Sequence, residues 1–237
     1  MDFEPVCIDF QQKIRDYFKW DLKEDEAILN WLEKRIEENT LEWSKKHRKE
    51  NLENLSINIK SNKNFVVLGA NVTNDEIMNL SMDSSLIVAD GAIGALISTN
   101  DKLIGNVICL VSDGDGLPHI LNKKIQNLTI LLHAHGHAKE NLANVLNSWE
   151  KWPTKPKIII THQTFLSSKN SHNFGGFTDG DRCVCMLHSL GVSAKNIKLL
   201  GFNSYKMGQW SGLSNTELKF EKLKWMEEIL NSLGHRI

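Results

Sequence analysis

The sequence predicts an α/β protein with a mostly parallel, doubly wound sheet, preceded by an N-terminal helical arm and closed by a C-terminal helix. Three observations carry this. From residue 64 onward, short continuous apolar runs ended by turn residues alternate with helical segments. Polar residues gather at the ends of those runs rather than scattering between them. Before that point the texture differs, since residues 1–63 hold 12 of the 28 Lys+Arg and 14 of the 29 Asp+Glu. The shift divides the chain into an N-terminal helical region, 1–63, and an α/β region with its C-terminal helix, 64–237.

In the arm, Ile28, Trp31, Leu32, Ile36 and Trp43 recur at helical spacing and no proline interrupts 23–50, so one or two amphipathic helices are expected. Trp20, Trp31 and Trp43 are expected to pack these helices onto the rest of the chain. Then come FVVLG (65–69) as a strand, a turn at 71–74 and a short helix at 75–80. SSLIVADGA (84–92) is a second strand, ending in Asp90-Gly91, and VICLV (107–111) a third, ending in Asp113-Gly114-Asp115-Gly116. Five apolar residues closed by a turn read as a strand buried on both faces. Residues 117–124 read as a helix with Pro118 in its first turn. LTILLHAHGH (128–137) is a fourth strand, 140–149 a helix, and KIIITHQT (157–164) a fifth strand. Residues 178–190 read as a helix closed by Gly191. NIKLLGFN (196–203) is a sixth strand, and 213–233 is the terminal amphipathic helix.

Composition narrows the function classes. A net charge of -1 gives no reason to expect a nucleic-acid partner. No apolar run approaches a membrane span and the N-terminus lacks a basic signal region, so a cytoplasmic protein is expected. Cys7, Cys109, Cys183 and Cys185 show no metal-binding spacing and read as reduced thiols.

Asp90, Asp113, Asp115, His133, His135, His137, Thr161, His162 and Gln163 all fall at or just past the C-terminal ends of expected strands. In a parallel sheet those ends share one edge, where open α/β sheets bind ligands. Asp113 and Asp115 repel one another unless a cation lies between them, and a divalent metal carrying phosphate oxygens suits the pair. Ser171–Arg182, SHNFGGFTDGDR, reads as a flexible substrate loop with Phe174 and Phe177 flanking Gly175-Gly176, followed by a helix N-terminus at Thr178, Asp179 and Asp181.

Taken together and in order, LGA (68–70), ADGA (89–92), SDGDG (112–116), HAHG (133–136) and NFGGFTDGDR (173–182) resemble the archaeal 6-hydroxymethyl-7,8-dihydropterin pyrophosphokinases, the MptE-like family. The resemblance runs from about residue 64 to 203 and implies a thiamine-pyrophosphokinase-like fold. It departs from the family pattern in three places. The turn after the first strand is Gly69-Ala70-Asn71-Val72-Thr73 instead of a GxGPS-like turn. The aspartate pair is DGD instead of DLD. His137-Ala138 replaces the Asp-Asn that usually follows HAHG.

The resemblance implies transfer of diphosphate from ATP to the hydroxymethyl group of a reduced pterin, with Mg²⁺, giving AMP, in biosynthesis of a tetrahydromethanopterin- or folate-type cofactor. On that reading Asp113 and Asp115 hold Mg²⁺ with Asp90 close by, and His135 or an aspartate takes the alcohol proton. Asn173, Asp179 and Asp181 are candidates for the pterin's polar edge, and Phe174 or Phe177 for its ring. Arg182 pairs with phosphate or with Asp179 or Glu140. His133, Gln163, Gly175, Gly176 and Thr178 complete the candidate site. Small molecules, ATP and a reduced pterin, are the expected partners, and a homo-oligomer is left open. Three rivals stay open as well: a DxD-type glycosyltransferase, a zinc hydrolase built on His133, His135 and His137, and a ligand-binding protein without catalysis.

Overall fold

The structure is a computed structural model that describes residues 4–39, 41–166, 168, 170–212 and 215–237. Its centre is a seven-stranded sheet in which each neighbouring pair is parallel. The strands are β1 (Phe65–Leu68), β2 (Ser85–Ala89), β3 (Val107–Ser112), β4 (Thr129–Ala134), β5 (Lys157–His162), β6 (Ser171–His172) and β7 (Ile197–Leu200). Their order is β6-β5-β4-β3-β2-β1-β7. The chain steps outward from β1 to β6, then returns to place β7 against the free side of β1. The strand order therefore reverses at β1, and in such sheets the crevice outside the carboxyl ends at that point is where ligands bind.

Continuous apolar runs were expected to be buried on both faces, and alternate residues do serve two cores. Leu86 and Val88, Leu110, Ile130 and Leu132, and Ile158 and Ile160 join one. Ile87, Cys109 and Val111, Leu131 and Ile159 join the other. The first face is covered by α2 (Leu22–Asn39), α5 (Ile93–Thr99) and α6 (Lys139–Trp149). The second is covered by α3 (Lys45–Ser61), α7 (Asp179–Ser189) and α8 (Thr216–Ser232). A short helix α4 (Asn74–Met78), capped by Thr73 and Glu76, joins β1 to β2.

The arm contains three α-helices rather than one or two: α1 (Ile8–Phe18), α2 and α3. It shares both cores with the sheet. Leu29, Leu32, Ile36 and Trp43 enter the first, and Leu52, Leu55 and Ile59 the second. Trp43 donates its indole N–H to the Pro156 carbonyl at 2.8 Å. The charge-rich texture of 1–63 is therefore the solvent side of helices whose inner sides close the sheet. Burying a leucine-sized side chain contributes about 1.5–3 kcal/mol, so the arm's apolar residues form a major part of the fold's stability.

Several elements differ from expectation. Residues 117–124 form two short 3₁₀ turns, His119–Leu121 and Lys123–Ile125, because the Asn122 side chain accepts from the Lys124 amide and starts a new turn. The fourth strand ends at Ala134, so His135 and His137 lie beyond it. Helix α8 starts at Thr216, where Asn215 accepts from the Glu217 and Leu218 amides, while the expected start at Leu213 and Ser214 lies outside the described residues. Among the described residues, no helix is long and apolar enough to cross a membrane.

Candidate active site

The carboxyl ends of β1, β2, β3 and β7 open into a cleft lined as well by residues of 201–212 and α8 and by Trp20. Asp90, Asp113, Asp115, His135, Gln163, Phe177, Thr178, Asp179 and Arg182 all line it. These residues come from five separate segments, as the shared-edge reading of the sequence requires.

Asp90 ends β2 in a left-handed conformation, φ 41°, uncommon for a residue with a side chain. Ser112 at the end of β3 holds it, donating its hydroxyl to Asp90 Oδ1 at 2.6 Å. Gly116 packs against the same carboxylate so closely that a Cβ there would collide with it. Gly212, from the 201–212 segment, stands in the same relation to Asp115. One ligand atom from each of Asp90, Asp113 and Asp115 lies within 4.8 Å of the others.

Burial pushes Asp90 well above the ordinary carboxylate range, with the Asp115 charge adding to it. Burial and the charge of Asp113 also raise Asp115. Burial would raise Asp113 too, but the hydrogen bond and charge of His135, aided by Arg182, hold it below that range. Three converging carboxyls, one buried and two half-buried, framed by two side-chain-free glycines, fit a hard divalent cation with oxygen ligands.

His135 Nε2 lies 2.9 Å from Asp113 Oδ2. An ionised carboxylate only accepts, so Nε2 carries the hydrogen toward Asp113, and Nδ1 is the nitrogen that can accept when the ring is neutral. Asp179 opens α7. Burial and the Asp113 charge push its carboxyl well up, against the pull of Arg182, whose Nη1 is 3.4 Å away. Arg182 thus makes the internal ion pair with Asp179 that was one of its two expected roles.

Other expected site residues stand outside the cleft. Asp181, fully buried, accepts from the Phe177 and Thr178 amides and the Thr178 hydroxyl, so it caps its own helix. Asn173 is bound to Gln11 and to the Gly175 amide. Phe174 is in the second core, whereas Phe177 reaches the cleft. Gly175 has φ 90° and backs onto the Val6 carbonyl, and Gly176 has φ 83° against the Arg182 backbone. The expected flexible loop is a packed corner because its glycines are pressed against other backbone. His133 lines a separate small cavity with His162 and Arg182, and burial with the Arg182 charge depresses its pKa well below the ordinary value. His137 is exposed. The three histidines do not form a shared ligand set. Among the described residues the one group of three or more candidate ligands is the aspartate triad.

The sequence reading missed Lys219, Lys222, Phe202 and Trp210 as cleft residues, and assigned Trp20 to packing alone. Lys222 Nζ sits 5.4 Å from the Trp20 ring and 5.9 Å from the Phe177 ring. Burial lowers its pKa, while the charge of Asp113 acts to raise it. Lys219 donates to the Gly212 carbonyl at 3.0 Å. The i, i+3 spacing of the two lysines was the one available signal, and on an amphipathic helix it reads equally as a solvent face.

No family model matches the chain. It is 34% identical over 158 residues to a 6-hydroxymethyl-7,8-dihydropterin pyrophosphokinase of Pyrococcus furiosus, a match covering 64% of this chain and 62% of that protein, less than two thirds of its length. Proteins of the same name from Methanocaldococcus jannaschii and Methanothermobacter thermautotrophicus are 28% and 29% identical. Those matches cover 68% and 79% of this chain and 68% and 73% of the respective relatives. The chain is thus similar to these archaeal proteins over most of its length.

Proposed function

We propose that the protein transfers diphosphate from Mg-ATP to the hydroxymethyl group of 6-hydroxymethyl-7,8-dihydropterin, giving AMP and the pterin diphosphate, within biosynthesis of a tetrahydromethanopterin- or folate-type cofactor. The observation that carries this is the joining of two unlike halves in one cleft. One half is acidic with cations facing it, namely Asp90, Asp113 and Asp115 opposite Lys219 and Lys222. The other is aromatic with one half-buried carboxyl, namely Trp20, Phe177 and Asp179. The first suits a metal-bound triphosphate and the second a flat ring with amide and amine edges.

Asp113 and Asp115 would hold Mg²⁺, with Asp90 as the third carboxylate. When bound, the ion neutralises oxygens of the triphosphate. Lys219 and Lys222 add positive charge from the opposite wall, since phosphoryl transfers depend chiefly on positioning and charge neutralisation. The pterin lies between Trp20 and Phe177 with Asp179 at its polar edge. Its alcohol oxygen attacks the β-phosphorus, the bond from that phosphorus to the α–β bridging oxygen breaks, and AMP leaves. His135, oriented by Asp113, takes the alcohol proton. The test is to incubate the protein with Mg-ATP and, separately, reduced pterins, thiamine and water alone. AMP formed only with a hydroxymethylated reduced pterin supports the reading, and AMP formation that no pterin stimulates refutes it.

A further inference from the structure

Gln163 stands between a group that only accepts hydrogen bonds and one that only donates them. On one side, its Nε2 donates to Asp25 Oδ2 at 2.9 Å. On the other, its Oε1 accepts from Arg182 Nη2 at 2.9 Å. The amide therefore fits in one orientation only. Asp25 belongs to the arm, in the first turns of α2, and is 6% exposed. Its other oxygen, Oδ1, accepts from the Gly136 amide at 2.8 Å, just past the His135 that pairs with Asp113. Arg15 of α1 fastens the same point, donating to the Gln163 carbonyl at 2.8 Å and lying 3.9 Å from Asp25 Oδ2. Asp25 itself does not line the cleft, whereas Gln163, Arg182 and Asp179 do.

We propose that Asp25 is a positioning residue: it fixes the polarity of the Gln163 amide, which sets Arg182 beside Asp179, so the arm orients the site. A carboxylate is needed at 25 because two donors, the Gly136 amide and Gln163 Nε2, converge on it. An asparagine there has one acceptor. If it keeps the Gly136 amide, its own NH₂ turns to Gln163, whose amide must rotate and present NH₂ to the Arg182 guanidinium, donor against donor. A glutamate at 163 facing the native Asp25 fails for the opposite reason, two acceptors facing one another. Combining both changes restores the three hydrogen bonds of the relay: the asparagine accepts from Gly136 and donates to the glutamate, and the glutamate accepts from Arg182.

This rests on reading the Asp179 side of the cleft as the pterin subsite. The experiment compares wild type, Asp25→Asn, Gln163→Glu and the double variant by steady-state kinetics and by denaturant midpoint. Each single variant is expected to raise the KM for pterin about ten- to a hundredfold, the range for losing a charged buried hydrogen bond. The KM for ATP should stay within about threefold, and the double variant should return within about fivefold of wild type, far from the product of the two losses. Lower midpoints in the single variants with an unchanged pterin KM would reduce Asp25 to a structural residue and overturn the proposal. A double variant no better than the product of its parts would overturn it too. If wild type forms no AMP with any reduced pterin, the functional reading fails separately. The midpoints then still decide the relay: recovery in the double variant upholds it and additive losses overturn it.

Discussion

The Nε2 of His135 and the Oδ2 of Asp113 lie 2.9 Å apart, the one just past β4 and the other just past β3. The pair joins the proposed proton acceptor to the proposed metal ligand, and the register that places Ser112 beside Leu132 brings the two loops together. Replacing the imidazole by an amide keeps a donor for Asp113 and removes the base. His135→Asn is therefore expected to lower kcat about a hundred- to ten-thousandfold, with the KM for ATP little changed. Pre-steady-state AMP formation checks that the chemical step, and not product release, is the one slowed.

Asp115 lies beyond a largely buried strand and under Gly212, and joins none of the hydrophobic cores. Asp115→Asn is expected to cost on the order of a hundred- to a thousandfold in turnover while leaving the denaturant midpoint at or above that of wild type. The stability half follows from removing one of three mutually repelling carboxyls. A Mg²⁺ titration of both proteins checks the assignment, since the variant should need more Mg²⁺ for half-maximal rate.

Lys222 faces the aromatic wall and the acidic triad together. Lys222→Met keeps the packing of the stem and removes the charge. The expected result is a KM for ATP raised roughly tenfold, the scale of one charge-assisted hydrogen bond, read from initial rates at saturating pterin.

Gly175 is held at φ 90° against the Val6 carbonyl. A side chain is strained there by its backbone angles and blocked by backbone it cannot displace. Gly175→Ala is expected to destabilise the fold by about 2–4 kcal/mol, measured by chemical denaturation.

How much of this was legible in the sequence depends on how local the cause was. β1 to β5 were readable because each is a short apolar run ended by a turn, and β7 because it repeats the pattern. β6 has two residues, too few for any period. The helix α5 was overlooked because Ile93–Thr99 follows Asp90-Gly91 without a recognisable cap. The acidic half of the site was readable, since strand ends in a parallel sheet must share an edge. Its basic and aromatic half was not, because Lys219, Lys222 and Trp20 reach the cleft from the two chain ends, placed by packing alone. Within NFGGFTDGDR the residue types gave no means of separating Phe174, which enters the core, from Phe177, which lines the cleft, or Asp181, which caps, from Asp179, which lines the cleft.

Stability should depend on pH through His162 and His172, both lowered by burial to about 4 from 6.5. The His162 Nδ1 accepts from the Thr164 amide at 3.2 Å, a bond that protonation breaks. Above 6.5 neither state is protonated. Between 6.5 and about 4 the unfolded chain takes up protons that the folded one refuses, so stability falls as pH falls through that window. The loss is at most roughly 3 kcal/mol per histidine. Because the raised carboxyls of Asp90, Asp179 and Asp181 act in the opposite direction in both proteins, the readout is the difference: from pH 7.5 to 4.5 the denaturant midpoint of His162→Asn, which keeps an acceptor for Thr164, should gain steadily on that of wild type.

The most direct test of the central claim follows the label of ATP carrying ³²P at the β-phosphorus. With Mg²⁺ and 6-hydroxymethyl-7,8-dihydropterin, the expected result is label in the pterin product and unlabelled AMP in equal amount. Label left in ADP, or released as inorganic pyrophosphate at a rate indifferent to pterin, would contradict diphosphate transfer.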